Sequence, residues 1–141
     1  MSARTLSLGL ILAALTQSAF ALPHWIWRGN QETANSVVLL HTFNAPAKLK
    51  SAHLRLVTDY AIARLSINGE TVGIAEPYGP VLELDVARFL RPGRNEIRLV
   101  AQAVSSHPAV ALQLNLVDDQ GKRQTVATSP KWQPAAPGTK A

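Results

Sequence analysis

Hydrolysis of a glycosidic bond needs two carboxyl groups held at a set separation across it, one to protonate the leaving oxygen and one to attack or to activate water. The chain has nine Asp and Glu residues. Asp59, Glu76 and Asp85 fall near expected strand ends or loops, but no spacing singles out a pair, and turn and cap roles account for all three. Ser105-Ser106-His107 sets hydroxyls beside an imidazole. It lacks the glycine-flanked nucleophile turn, and neighbours in one loop do not present a serine to a histidine in working geometry. His24, His41, His53 and His107 are scattered rather than set at metal-ligand spacing. No catalytic residue and no side-chain metal site follows.

Recognition is the chemistry that remains. A tyrosine ring stacks on the apolar face of a sugar while nearby polar groups take its hydroxyls. Tyr78, flanked by Pro77, Gly79 and Pro80, sits in a stiffened loop and is the leading candidate, followed by Tyr60 with Asp59 beside it. The competing role for Tyr78 is a plug over the core, and a ring buried under the neighbouring hairpin would remove it from any site. Arg88, Arg91 and Arg94 recur at every third residue and form a candidate basic rim for carboxylate or sulfate groups of a polysaccharide. Solvated loop charge is their plainer role. Trp25, Trp27 and Trp132, near the two chain ends, are expected to close the bottom of the core by burying large area.

The elements that position these residues read as short strands separated by turn signals about every ten residues, the rhythm of a β-sandwich. Val37 to Phe43 is β-branched and apolar, and Asn44-Ala45-Pro46 ends it. From Ser51 to Val57, Ala52, Leu54 and Leu56 share one face and His53 and Arg55 the other. Ile62 to Ile67 and Glu70 to Ile74 flank Asn68-Gly69, the dipeptide suited to a type I′ hairpin turn. Val81 to Leu84 is a further strand, and Asp85 to Leu90 an irregular or single helical turn. Arg91-Pro92-Gly93-Arg94 is a tight turn, with proline presetting φ and glycine accepting its positive value. Asn95 restarts a strand through Ala101, Ala109 to Val117 alternates cleanly, and Arg123 to Ala127 pairs back after a turn at Asp118 to Lys122.

Residues 1–21 have the pattern of a cleaved secretory signal: Arg4, an apolar run from Leu6 to Leu15, and Ala19-Phe20-Ala21. The run is too short to span a bilayer, so stable membrane insertion is not expected. The domain is expected over 22–132, and the Pro-, Ala- and Gly-rich 133–141 as a disordered tail. The formal charge of the whole chain is +5, and removal of the leader with Arg4 leaves thirteen Lys and Arg against nine carboxylates, or +4. In an exported protein, that balance favours anionic glycans or headgroups over nucleic acid, for which no motif is present. With no cysteine, burial alone must hold the fold.

Four pieces together carry a family likeness: Trp25-Ile26-Trp27; Ala52-His53-Leu54-Arg55-Leu56 running into Thr58-Asp59-Tyr60; Ser66 through Gly73 around the Asn-Gly turn; and Leu84 through Asn95, finishing near Lys131-Trp132. In order and spacing they resemble the galactose-binding-like modules that accompany bacterial α-L-rhamnosidases and related glycoside hydrolases, over nearly the whole chain after the leader. Ser66 stands where the family commonly has an aromatic residue, and Tyr60 where it often has a second acid, which bears on ligand contacts and not on the sandwich. The resemblance implies an all-β, jelly-roll-like, two-sheet antiparallel sandwich of about eight strands. It implies no catalysis by this chain, since the parent enzymes keep their catalytic carboxylates in a separate barrel. It implies no cofactor beyond a structural calcium, for which Asp59 or Asp85 would be the carboxylate, a capping role for Asp85 being the alternative. The function expected is an exported, non-catalytic module that binds a glycan or polysaccharide through loops at one end, using Tyr78, Tyr60, Asp59, Arg88, Arg91 and Arg94. The alternative is a structural or protein-interaction domain, the truncated head of a larger exported protein, with another exported protein as partner.

Overall fold

The computed structural model describes residues 21–27 and 35–134. The leader expected over 1–21 therefore lies outside the described residues except for Ala21, as do the last seven residues of the expected tail. The described chain forms nine strands: β1 (Ser36–Ala45), β2 (Leu49–Asp59), β3 (Ala61–Ile67), β4 (Glu70–Ala75), β5 (Leu82–Asp85), β6 (Gly93–Ala103), β7 (Ala109–Asp118), β8 (Arg123–Ala127) and β9 (Gln133–Pro134). A single 3-10 turn, Ala87–Phe89, follows β5. The strands make two antiparallel sheets, a five-stranded one in the order β4-β3-β6-β1-β9 and a four-stranded one in the order β5-β2-β7-β8. This is the all-β sandwich expected. Gln133 and Pro134 pair with Leu40 and Leu39, which carries the larger sheet two residues past Trp132.

Alternation of side chains along each strand determines what lies between the sheets. Val37 and Leu39 from β1, Ala63, Leu65 and Ile67 from β3, and Ile97, Leu99 and Ala101 from β6 face Leu54 and Leu56 from β2 and Leu112, Leu114 and Leu116 from β7. Most of these side chains are fully excluded from water, so the sandwich is held by a dense aliphatic core and needs no covalent clasp. On one flank, β4 approaches β5 at Gly73, where an added Cβ would come within 3.0 Å of Leu82 and 3.1 Å of Leu84. On the other flank, Trp132 is buried, stacks on His41 at 4.8 Å and donates its indole N–H to the Ala127 carbonyl at 2.9 Å.

Strand direction sorts the connections into two rims. The upper rim carries Tyr60 between β2 and β3, residues 76–81 between β4 and β5, and residues 104–108 between β6 and β7. The lower rim carries residues 46–48, the Asn68-Gly69 turn, residues 86–92 and residues 119–122. The N-terminal piece joins the smaller sheet beside β7 through an Ile26–Val110 bridge. Buried Thr128 fastens it further, its hydroxyl donating to the His24 carbonyl at 2.7 Å.

Candidate functional site

The chain turns from β2 into β3 at one residue, Tyr60, which forces a positive φ of 50° there. Tyr78 (φ 58°) and His107 (φ 60°) occupy the same left-handed region in the other two upper-rim loops. Side chains other than glycine resist that region by about 1–3 kcal/mol each. Three strained residues thus stand on one rim, and the one other among the described residues, Asn68 (φ 50°), belongs to the hairpin turn where its type is expected. Packing holds the loops in place. The Tyr60 carbonyl accepts the Val104 N–H at 2.8 Å, the Thr58 hydroxyl donates to the Glu76 carbonyl at 3.1 Å, and the Gly79 N–H reaches that same carbonyl at 3.3 Å.

The two tyrosine rings meet edge to face, with centroids 5.4 Å apart and planes at 88°. Tyr78 is 69% exposed and Tyr60 half-buried, so the pair presents one ring face to solvent while the other ring braces it. Tyr78 is therefore not a plug over the core. Asp59 is exposed at the end of β2, next to Tyr60. The Tyr78 phenol is held above its ordinary pKa by desolvation first, then by Tyr60 and Asp59. Glu76, also exposed, opens the loop that carries Tyr78. Of the six residues expected to form one site, Tyr78 and Tyr60 are in contact, and Asp59 precedes Tyr60 in the chain.

The arginines do not join them. Arg88, Arg91 and Arg94 lie on the lower rim, because β5 carries the chain from one rim to the other between Tyr78 and Arg88. There, Arg88 sits over the Phe89 ring at 4.6 Å and Arg91 donates its Nε–H to the Arg94 carbonyl at 3.1 Å. The rim is organised by Asn95, near the start of β6. Asn95 is fully buried. Its Oδ1 accepts from Arg91 N–H (3.0 Å) and Asn68 Nδ2 (2.8 Å), and its Nδ2 donates to the Arg91 and Gly93 carbonyls (both 2.8 Å). Asn68 also donates to the Phe89 carbonyl at 2.9 Å and accepts the Glu96 N–H at 3.0 Å. Two asparagine amides thus join the hairpin turn to the β5–β6 connection, with every polar atom of Asn95 engaged. The Asn that follows Pro-Gly and the Asn of the Asn-Gly turn were the available signal, but their meeting is set by strand pairing.

Asp85 accepts the Ala87 N–H at 3.0 Å, a local bond just before the 3-10 turn, whose N-cap is Val86. It is on β5 leading to the lower rim and Asp59 is on the upper, so the two cannot share an ion. Among the described residues, no three His, Asp or Glu side chains gather. One tryptophan departs from expectation: Trp25 is 56% exposed, while its neighbour Ile26 packs partly against the core. Trp27 packs partly on the core and Trp132 is buried, as expected of both.

No known family model and no curated protein matches this sequence. Solved structures do share its shape. An α-L-rhamnosidase from Streptomyces avermitilis, solved with L-rhamnose, superimposes with TM-score 0.72 and 18% identity over 80% of this chain and 12% of its own. A GH78 rhamnosidase of Bacillus sp. GL1 gives TM-score 0.64 and 26% identity over 80% of this chain and 13% of its own. A lectin from Pleurotus ostreatus, solved with GalNAc, gives TM-score 0.62 and 18% identity over 80% and 36%. The chain spans about an eighth of the rhamnosidases it matches. These likenesses show the galactose-binding-like β-sandwich that the sequence resembled.

Proposed function

We propose that the chain is an exported, non-catalytic module that binds carbohydrate through its upper rim, with Tyr78 as the stacking face, Tyr60 as its brace and Asp59 as a hydroxyl acceptor. The observation that carries this reading is the exposed tyrosine pair, assembled from two separate loops that both hold strained left-handed backbone. An exposed, stiffly held aromatic face beside a carboxylate suits a sugar ring, which offers apolar C–H on one face and hydroxyls at its edge. The shared fold lends support, since it covers a third of a lectin and an eighth of rhamnosidases. Export rests on the Arg4, Leu6 to Leu15 and Ala19-Phe20-Ala21 pattern alone. A glycan array of residues 22–141 beside a Tyr78→Ala variant tests the reading. Defined sugars are expected to bind, with roughly tenfold loss in the variant, the effect of about 1.4 kcal/mol. Silence across neutral and charged glycans, or equal binding by both proteins, would overturn it.

One observation favours the second reading, a protein-interaction domain. The outer face of the five-stranded sheet carries a cross-strand row in which Ile74 (46% exposed) pairs with Arg64, Arg64 with Val100 (39% exposed), and Val100 with Val38, so that apolar side chains flank one arginine. The outer face of the smaller sheet is polar instead, crossed by the Arg55–Glu83 pair at 3.0 Å and the Thr125–Asn115 hydrogen bond at 3.0 Å.

A further inference from the structure

The upper rim has a charge character that the tyrosines alone do not explain. Its three described loops contain Glu76 and no Lys or Arg, residues 28–34 lying outside the described residues, and Asp59 closes the strand that delivers Tyr60. The titratable group of the third loop is His107, which is exposed. The arginines that would have met an acidic sugar are on the lower rim, a sandwich length away. Aromatic faces attract cations through the ring quadrupole, and a carboxylate beside the ring adds a Coulomb term with the same preference. Uronate or sulfate groups at this rim would meet two carboxylates and no Lys or Arg among the described residues.

We infer that the tyrosine rim is specific for amino sugars, the protonated amine seated by Tyr78 and Asp59 with Glu76 behind them, and that it rejects acidic sugars. The inference rests on the glycan reading and names its ligand class. Asp59 and Glu76 act here as specificity-determining residues, while the ring supplies contact common to all hexoses. Neither carboxylate makes a side-chain hydrogen bond that the loops depend on: Glu76 is held through its carbonyl, and Asp59 is exposed. Their amides should therefore fold as the parent does.

The test is calorimetric titration of the protein with three tetrasaccharides, glucosamine, N-acetylglucosamine and galacturonate, at about pH 6, where free amines are protonated. The parent, Asp59→Asn/Glu76→Gln and Tyr78→Ala are compared, with melting curves as the folding control. The free amine is expected to bind roughly fivefold tighter than its acetylated form, the scale of one exposed ion pair, and galacturonate weakest. The double variant should bring the amine and acetylated forms to equal affinity, whereas Tyr78→Ala should weaken all three and keep the ratio between those two. Equal affinity for amine and acetyl forms, or a preference that survives in the double variant, would overturn the inference and leave the glycan reading standing if Tyr78→Ala still weakens binding. No binding of any of the three overturns the inference along with the glycan reading it rests on.

Discussion

Asn95 couples the lower rim to the core with four hydrogen bonds from one fully buried amide. Truncation to alanine would strand the Arg91 N–H, two carbonyls and the Asn68 amide at once. A buried polar group left without its partner costs about 1–3 kcal/mol. Asn95→Ala is thus expected to lower unfolding free energy in urea by at least about 2 kcal/mol with little change in slope. Asn68→Gly separates two roles: glycine keeps the positive φ and loses the amide bonds, so it should cost less than Asn95→Ala but more than a neutral turn change. His41 adds a pH term. Burial lowers its pKa from the ordinary 6.5, so the unfolded chain takes the proton more readily than the folded one. Its contribution is therefore full above about pH 6.5 and is lost as pH falls below that. Replacement by phenylalanine, which keeps a ring against Trp132, should flatten the acid side of the stability curve below about pH 6.5; an unchanged slope would assign acid loss to other groups.

Each element was legible from sequence in proportion to how local its cause is. The β3–β4 hairpin followed from Asn68-Gly69, and the dihedrals of 50° and 86° are those of the expected turn. The faces of β2 and β7 followed from alternation, with Leu54, Leu56, Leu112 and Leu114 buried as their spacing required. Strand neighbours were not legible. Val38 lies opposite Val100, and nothing in either segment names the other, because nonlocal pairing is chosen by the whole core. The row of Val38, Val100, Arg64 and Ile74 therefore became visible only when four strands were laid side by side. If that row is a docking face, Val100→Asp should leave the fold intact, since the side chain points to solvent, and should abolish any concentration-dependent increase in sedimentation coefficient shown by the parent. Trp132→Ala marks the contrasting case, a buried ring whose loss should cost about 3–5 kcal/mol.

Across the whole molecule, the two rims differ in charge, and this is where sequence distance misleads most. Tyr78 and Arg88 are neighbours along the chain, yet β5 lies between them and leads from the upper rim to the lower, so the six residues first grouped as one site divide three and three. The tyrosine trio was recoverable because Asp59 and Tyr60 are adjacent and Tyr78 sits in a proline-bracketed loop; its separation from the arginines needed the topology. One consequence is independent engagement of the rims. Arg88 and Arg94 are exposed, and the Asn68–Asn95 network fixes the backbone beneath them. Exposed guanidinium groups attract sulfates in a way that salt screens over a Debye length of about 10 Å at 0.1 M. Retention on a heparin column is expected to fall with salt and to weaken in Arg88→Ser/Arg94→Ser, with Arg91 kept for its bond to the Arg94 carbonyl. Tyr78→Ala should elute with the parent, and a glucosamine oligosaccharide should not displace the protein. If it did displace it, the rims would be coupled or share a ligand, and the division of charge between them would lose its meaning for binding.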